Sequence, residues 1–247
     1  MQERSEKMDL KKKVWSFSSV KCYQQCPYAF YLRYVLDQPE EINCFSEVGS
    51  LVHDILDKAY KGELFPFELA DEFEKRWHNL NLHFPFFAMN RAYHDNSLEY
   101  LSEFDFDDRY EVVASEYEIR LKIGKYEFTG FVDLILRDKA DGKLIIQDHK
   151  SKSKMTKNEQ CEYAKQLYLY AFALHELGYE YPKTLRFNLY RSRKEIDIPF
   201  CEDDMHEAVA WFTDSVGKIL AENDWDCKTD EWFCSKLCGA DCIYRGE

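Results

Sequence analysis

The stretch of sequence that decides the fold runs through Gly130-Phe131-Val132-Asp133 and, fifteen residues after Asp133, through Asp148-His149-Lys150. Apolar residues dominate both segments, which predicts two largely buried strands, and Asp141-Gly142 between them is typical of a tight turn. Since side chains alternate across a strand, Asp148 and Lys150 share one face. A two-residue loop at Asp141-Gly142 would place Asp133 on that face, opposite Lys150 and diagonal to Asp148.

A face that gathers two carboxylates and an ammonium group has two interpretations. Hard divalent cations such as Mg²⁺ prefer oxygen ligands of this kind, and a lysine beside the metal can orient or help to deprotonate a water molecule. Alternatively, Asp133, Asp148 and Lys150 form ordinary cross-strand pairs on a solvated face. The apolar context favours the first interpretation, because carboxylates on buried strands need partners.

The periodicity of the whole chain predicts an α/β (α+β) protein with one central mixed β-sheet flanked by helices. Helices are expected over about 16–32, interrupted at Pro27, and over about 46–61, 159–178 and 203–222. Strands are expected near 110–121, 128–136, 144–148, 184–190 and 195–199.

The expected domain organisation follows from this order of elements. Residues 1–14 are predicted to form a flexible charged arm, and residues 15–247 a single domain. Within that domain we expect a helical part over about 15–107, the sheet core over about 108–200, and a C-terminal helix and cysteine tail over about 201–247.

The composition limits the class of protein. The 247 residues are 45% hydrophobic and 16% aromatic, with 6 Pro and 9 Gly, which provides enough apolar material for a core and excludes a disordered or fibrous chain. No segment approaches the roughly 18 apolar residues of a membrane span, and the polar opening MQERSEKMDLKKK lacks an apolar secretory signal. A soluble, intracellular protein of the cytoplasm is therefore expected.

The net charge of -13 hides a basic segment. Residues 119–200 carry 16 Lys and Arg against 11 Asp and Glu, whereas residues 38–118 carry 6 against 19. An acidic protein can still hold a polyanion in one basic groove. Lys152, Lys154 and Lys157, together with Arg191 and Arg193, are candidates for such contacts, although a solvated loop explains a run of lysines equally well.

Nine cysteines, an odd number, cannot form a complete disulfide set. Cys234, Cys238 and Cys242 repeat at four-residue spacing, and three thiolates leave a tetrahedral metal or a four-iron cluster one ligand short. The isolated Cys44, Cys161 and Cys201 are expected in the core (the commoner fate of scattered cysteines).

Two further pairs share a helix face because they are four residues apart: Gly49 with His53, and Gln166 with Tyr170. Glycine permits close backbone approach, the imidazole can bind a metal, and the amide and hydroxyl could bond a phosphate or the strand with Asp148. Each pair alone is better explained by ordinary packing.

Taken in order, these motifs resemble the PD-(D/E)XK nuclease superfamily with its restriction-endonuclease-like core. The sequence is similar to the RecB-like branch, which includes AddB-type subunits and CRISPR-associated iron–sulfur exonucleases, in five places from about residue 15 to 242. They are Cys26-Pro27-Tyr28-Ala29-Phe30, Gly49-Ser50-Leu51-Val52-His53, Gly130-Phe131-Val132-Asp133, Asp148-His149-Lys150 and Gln166-Leu167-Tyr168-Leu169-Tyr170.

The resemblance implies a metal site of Mg²⁺ or Mn²⁺ held by His53, Asp133, Asp148 and the backbone carbonyl of His149. It also implies a helical insertion in the fold, Lys150 positioning or activating water, and support from Gln166 and Tyr170. The expected activity is DNA hydrolysis, as an exonuclease acting on DNA ends in recombination, repair or DNA processing. Products would carry a 5′-phosphate and a 3′-hydroxyl, and a helicase or recombination protein is a possible partner.

The resemblance also supplies Cys26 as the fourth ligand of a [4Fe–4S] cluster with Cys234, Cys238 and Cys242, which would tie the terminal segments together. The tail departs from the usual C-x2-C-x5-C pattern, since its spacing is C-x3-C-x3-C. Cys227 or Cys22 could therefore substitute, and Zn²⁺ is the competing metal. Two other functions stay open: a non-catalytic nucleic-acid-binding or assembly subunit, and a zinc-stapled interaction domain.

Overall fold

The centre of the protein is a mixed five-stranded sheet, seen in a computed structural model that describes residues 9–39, 41–80, 82–228, 230 and 232–243. The strands are β1 (Tyr110–Ile123), β2 (Tyr126–Asp138), β3 (Leu144–Lys150), β4 (Thr184–Leu189) and β5 (Lys194–Pro199), and they lie in the order β1-β2-β3-β4-β5. Strand β3 pairs antiparallel with β2 and parallel with β4, and β4 pairs antiparallel with β5. The predicted fold class is confirmed.

Seven α-helices flank the strands within the described residues. They are α1 (Phe17–Gln25), α2 (Pro27–Phe30), α3 (Cys44–Tyr60), α4 (Leu69–Trp77), α5 (Phe87–Ser102), α6 (Lys157–Glu176) and α7 (Glu202–Ala221). Helix α6 connects the parallel strands β3 and β4, because strands that run the same way need a crossover connection. None of the described helices is both long enough and apolar enough to cross a membrane.

The first helix begins and ends where the sequence predicts. Ser16 and Ser19 exchange side-chain-to-backbone hydrogen bonds of 3.1 Å, which cap the start of α1. Pro27 ends that run and opens α2, since proline fits the first turn of a helix but not its interior. The Cys26 sulfur caps α2 by accepting the Ala29 N–H at 3.5 Å.

The predicted register between β2 and β3 is wrong. Leu134 lies opposite Gln147, and continuing this antiparallel pairing by one residue brings Asp133 opposite Asp148 rather than Lys150. The reason is the turn, because residues 139–143 all lie between the strands instead of Asp141-Gly142 alone. The observed register differs from the predicted one by two positions on β3, so Asp133, Asp148 and Lys150 still share one face of the sheet.

The chain divides into two compact units. One comprises residues 1–43, 120–130 and 209–247, and the other residues 44–119 and 131–208. In the first, Trp15 is buried and exchanges backbone hydrogen bonds of 2.8 Å with Glu127 and Thr129. In the second, Val52, Phe73 and Leu101 belong to one fully buried cluster. The assignment of residues 15–247 to a single domain stays a prediction.

Two other predictions need comment. Residues 1–8 of the expected flexible arm lie outside the described residues, while Leu10–Lys12 form a short turn capped by Asp9. Cys44 is buried as expected, but Cys161 and Cys201 are exposed, so their assignment to the core is wrong.

Candidate active site

Strands β2 and β3 place the acidic pair and the lysine together. Asp148 is 2% exposed, and Lys150 Nζ lies 3.0 Å from its Oδ1 and 2.8 Å from its Oδ2. The backbone N–H of His149 donates a 2.6 Å hydrogen bond to Asp133 Oδ2. The two carboxylates are therefore fixed on adjacent strands, one by an ammonium group and the other by the backbone.

Helix α3 brings His53 to this pair. Its Nε2 lies 3.0 Å from the backbone oxygen of His149, and its Nδ1 lies 3.6 Å from Asp133 Oδ2. Gly49, one turn earlier on α3, is not in tight contact: a Cβ there would lie 3.9 Å from Ser151 Oγ, an ordinary van der Waals distance. The structure thus gathers His53, Asp133 and the carbonyl of His149, and their role as metal ligands stays a prediction.

Glu116 on β1 is a member of the site that sequence reasoning missed. Its Oε1 lies 3.6 Å from His53 Nδ1, and ligand atoms of Glu116, His53 and Asp133 all lie within 4.8 Å of one another. Its backbone has φ of 45°, a left-handed conformation that a non-glycine residue rarely adopts within a strand. In the sequence nothing distinguishes Glu116 from Glu111 or Glu118 in the same strand.

The ionisable groups of the site are close together and poorly exposed to solvent, and both conditions shift their pKa values. Burial and the neighbouring Asp148 raise the pKa of Asp133 well above its usual range. Burial lowers the pKa of His53, but the carboxylates of Asp133 and Glu116 raise it, and the balance is about 9. Burial also lowers the pKa of Lys150, yet Asp148 outweighs this effect and raises it. Lys150 is therefore an ammonium donor at neutral pH.

The donor set fits a divalent cation. Asp148 Oδ2 is buried and accepts no hydrogen bond within the part of the chain that the structure describes, although Lys150 Nζ is close. It lies on the same sheet face as Asp133, whose pKa shows the cost of keeping two carboxylates together. A hard cation bound between these carboxylates would relieve the repulsion between the two acids.

Helix α6 supports the lysine from the other side. Gln166 Oε1 accepts a 3.2 Å hydrogen bond from Lys150 Nζ, and Gln166 Nε2 donates at 3.0 Å to the Tyr170 hydroxyl. Lys150 Nζ also lies 4.6 Å from the centre of the Tyr163 ring, a contact the sequence did not suggest. Gln166 and Tyr170 thus contact the lysine network, and their catalytic role stays a prediction.

The basic residues predicted to contact DNA are mostly engaged within the protein. Lys152 pairs with Glu159 at 2.6 Å, and Lys157 donates to a neighbouring glutamine. The Arg191 guanidinium lies 3.4 Å from the centre of the Tyr93 ring. Arg193 pairs with Glu99 and Glu103, while Lys154 is exposed. The DNA contacts stay predictions.

The cysteines of the terminal segments lie close together. Burial, Cys26, Cys242 and Cys234 raise the pKa of Cys227, whose thiol is hydrogen-bonded with Cys26. Cys238 is buried, and burial raises the pKa of its thiol. Cys26 and Cys234 also raise this pKa, whereas Arg33 lowers it. Cys26 and Cys234 thus influence both Cys227 and Cys238, and Cys242 influences Cys227, while the predicted ligand set of Cys26, Cys234, Cys238 and Cys242 stays a prediction.

The chain matches the family model of the PD-(D/E)XK nuclease superfamily over residues 14–246. This match covers nearly the whole sequence and includes every residue of the site described above. The protein belongs to the PD-(D/E)XK nuclease superfamily.

A solved structure shares the fold. The crystal structure of a presumed exonuclease from Eubacterium rectale has a TM-score of 0.55 and 14% identity, and the alignment covers 88% of this chain and 85% of that one. The protein SSO0001 aligns over 86% of this chain and 90% of its own at 18% identity, but its TM-score of 0.35 is too low to support an argument. A comparison with curated proteins gives no match.

Proposed function

We propose that the protein is a divalent-metal-dependent DNA nuclease. The observation that carries the proposal is the cluster of His53, Glu116 and Asp133 beside a buried Asp148–Lys150 pair. His53, Asp133, Asp148 and Glu116 would hold Mg²⁺ or Mn²⁺, with the carbonyl of His149 as a further ligand. When bound, the cation would lower the pKa of a water molecule and polarise the phosphodiester.

Lys150 has a defined role in this proposal. Because its pKa is raised, it donates hydrogen bonds rather than accepting a proton, and it would stabilise charge that develops on the phosphate oxygens. Gln166 holds its Nζ by one hydrogen bond and is itself held by Tyr170. These two residues position the ammonium group.

Metal dependence is supported by the charge of the groove. A cavity of about 600 Å³ is lined by Asp54, Asp57, Glu116, His53 and Lys150, among others. Asp54 pairs with Lys58 and Asp57 with Lys61, so the acids that matter for the substrate are those of the metal-ligand cluster, Glu116 and Asp133, with Asp148 beside them. These acids would repel a phosphodiester backbone, and a bound divalent cation would offset that repulsion.

Within this class we propose an exonuclease that acts on DNA ends in recombination, repair or DNA processing. The motifs similar to the RecB-like branch support this, as does the fold similarity to a presumed exonuclease. By resemblance the products would carry a 5′-phosphate and a 3′-hydroxyl, and a helicase or recombination protein would be the partner.

The test compares linear with covalently closed circular DNA, single- and double-stranded, in Mg²⁺, Mn²⁺ or EDTA. We expect linear DNA to be degraded only with metal, and circles to be spared. Labels at the 5′ and 3′ ends give the polarity and the end chemistry. Equal degradation of circles would contradict the exonuclease, and inertness of folded, metal-loaded protein on every substrate would favour the non-catalytic binding subunit.

The cysteine cluster is proposed to hold a [4Fe–4S] cluster, as in the iron–sulfur members of the RecB-like branch. Cys26, Cys234, Cys238 and Cys242 are the ligands, and Cys227 is the alternative to one of them. The electrostatic links of Cys227 with Cys26, Cys234 and Cys242, and of Cys238 with Cys26 and Cys234, support a shared site. Zn²⁺ at the same cysteines is the competing assignment.

Gly239 offers a sharp test of this segment. Its φ is +65°, and a Cβ there would lie 2.3 Å from the Glu41 backbone oxygen, so Gly239→Ala must displace the chain between Cys238 and Cys242. We expect anaerobically purified wild type to contain about four iron atoms per chain. Gly239→Ala should lose most of this iron and its visible absorbance.

Gly142→Ala is the matched control, since Gly142 has a similar φ of +72° and open space around it. It should keep the wild-type iron content. Stoichiometric zinc without iron in the wild type would contradict the cluster and favour the zinc-stapled site.

A further inference from the structure

A second cavity lies on the sheet face opposite to the acidic pair. Strand β3 directs Asp148 and Lys150 to one face and Gln147 to the other, because side chains alternate along a strand. Gln147 and its cross-strand neighbour Leu134 line a cavity of about 480 Å³. This volume is within the range of small-molecule sites.

The walls of this cavity are aromatic. They include Tyr60, Tyr100, Phe104, Phe106 and Tyr110. Tyr60 contacts the rings of Phe104 and Phe106 with centroid distances of 5.8 and 6.0 Å, and Phe106 is 42% exposed at the cavity. Rings of this kind stack on planar ligands such as nucleobases.

The polar group at the base of the cavity is Gln147. It is 4% exposed, and its side chain lines the cavity. It offers an acceptor oxygen and a donor nitrogen side by side, which together match the edge of a purine base.

The charged groups of the cavity disfavour a phosphate. The carboxylates of Glu103, Asp105, Asp107 and Glu195 line it. Its two arginines are engaged by acids, Arg186 by Asp197 at 2.7 Å and by Glu195 at 3.0 Å, and Arg193 by Glu99 at 3.1 Å and by Glu103. A phosphorylated ligand would therefore meet net negative charge.

We propose that this cavity binds an uncharged purine base or nucleoside. The base stacks against the wall of Phe104, Phe106 and Tyr60 and pairs through its edge with the Gln147 amide. Hydroxyl groups of a ribose would donate to the carboxylates at the cavity. This binding is separate from the nuclease site and requires neither a metal ion nor DNA hydrolysis.

The experiment is calorimetric titration of the full chain, in EDTA, with adenosine, guanosine, cytidine and AMP. We expect a purine nucleoside to bind at least tenfold more tightly than cytidine, because a purine stacks over more area, and at least tenfold more tightly than AMP. Gln147→Leu, of similar size, should weaken purine binding about tenfold, by loss of hydrogen bonds worth about 1.4 kcal/mol.

Two further variants keep the test decisive. Phe106→Ala alters a half-exposed ring, so it should fold and still weaken binding. Gln160→Leu is the matched glutamine control on α6 and should bind as wild type does. No nucleoside binding at millimolar concentration, equal affinity for AMP and adenosine, or unchanged binding by folded Gln147→Leu and Phe106→Ala would each overturn the proposal. DNA hydrolysis, present or absent, has no bearing on it.

Discussion

Lys150→Ala is expected to lower the rate of DNA hydrolysis by about a thousandfold, the size of effect seen when one preorganised donor to a developing negative charge is removed. Lys150 is the ammonium group that lies within 3.0 Å of both Asp148 oxygens, and Gln166 and Tyr163 hold it in place. The measurement is the single-turnover rate of hydrolysis of a labelled DNA strand at saturating Mg²⁺.

Controls separate this effect from misfolding. Alanine leaves the buried Asp148 without its partner, which costs stability, so Lys150→Gln is measured beside it because the amide can still donate to Asp148. Both variants should fold and both should be nearly inactive. Lys75→Ala removes an exposed lysine on α4 and should hydrolyse DNA as wild type does. Near-normal rates in either Lys150 variant would contradict the assigned role.

Asp133→Asn should abolish metal-dependent hydrolysis without lowering the stability of the metal-free protein. Burial and Asp148 raise the pKa of Asp133, so its ionisation costs folding free energy. That cost is absent below the pKa of an unfolded aspartate, about 4, and grows as the pH rises toward neutrality. Asparagine is neutral at every pH and can still accept the His149 N–H.

The measurement is thermal unfolding of wild type and Asp133→Asn in EDTA and in Mn²⁺ from pH 4 to pH 7.5. In EDTA the melting temperature of the wild type should fall below that of the variant as the pH rises. Mn²⁺ should raise the melting temperature of the wild type and have little effect on Asp133→Asn.

Asp138→Asn, at the far end of β2, is the matched control for this comparison. It weakens an ion pair with Lys183 and should keep the full response to Mn²⁺. An equal Mn²⁺ response in Asp133→Asn, or a clear loss of its stability in EDTA, would contradict the description of the site.

The sequence could predict that Asp133, Asp148 and Lys150 lie together, because the regular alternation of side chains along a strand determines the face on which each of them lies. Because side chains alternate along β3, Asp148 and Lys150 share one face for any length of the loop between β2 and β3. The predicted register between these strands differs from the observed one by two positions, so Asp133 still lies on that face. Loop length is set by local turn hydrogen bonds, here Gly142 N–H to the Asp138 carbonyl, and the turn dipeptide alone did not reveal them.

Other features depend on tertiary contacts that no local pattern encodes. Glu116 has a left-handed backbone conformation within β1 and lies 3.6 Å from His53, a residue 63 positions earlier in the sequence. Lys152 and Arg193 form ion pairs with partners that sequence spacing did not suggest. The aromatic cavity behind β3 combines residues from α3, α5, the loop that follows α5 and all five strands, so its residues are widely separated in the sequence.

The most direct test of the central claim is the rate of phosphodiester hydrolysis by the wild-type chain as a function of free Mg²⁺ or Mn²⁺. A linear, end-labelled DNA strand is incubated with anaerobically purified protein, from EDTA alone to millimolar metal. We predict no hydrolysis in EDTA and a rate that rises and saturates with metal. Hydrolysis that is equally fast in EDTA, or none at any metal concentration with folded protein, would contradict a metal-dependent nuclease.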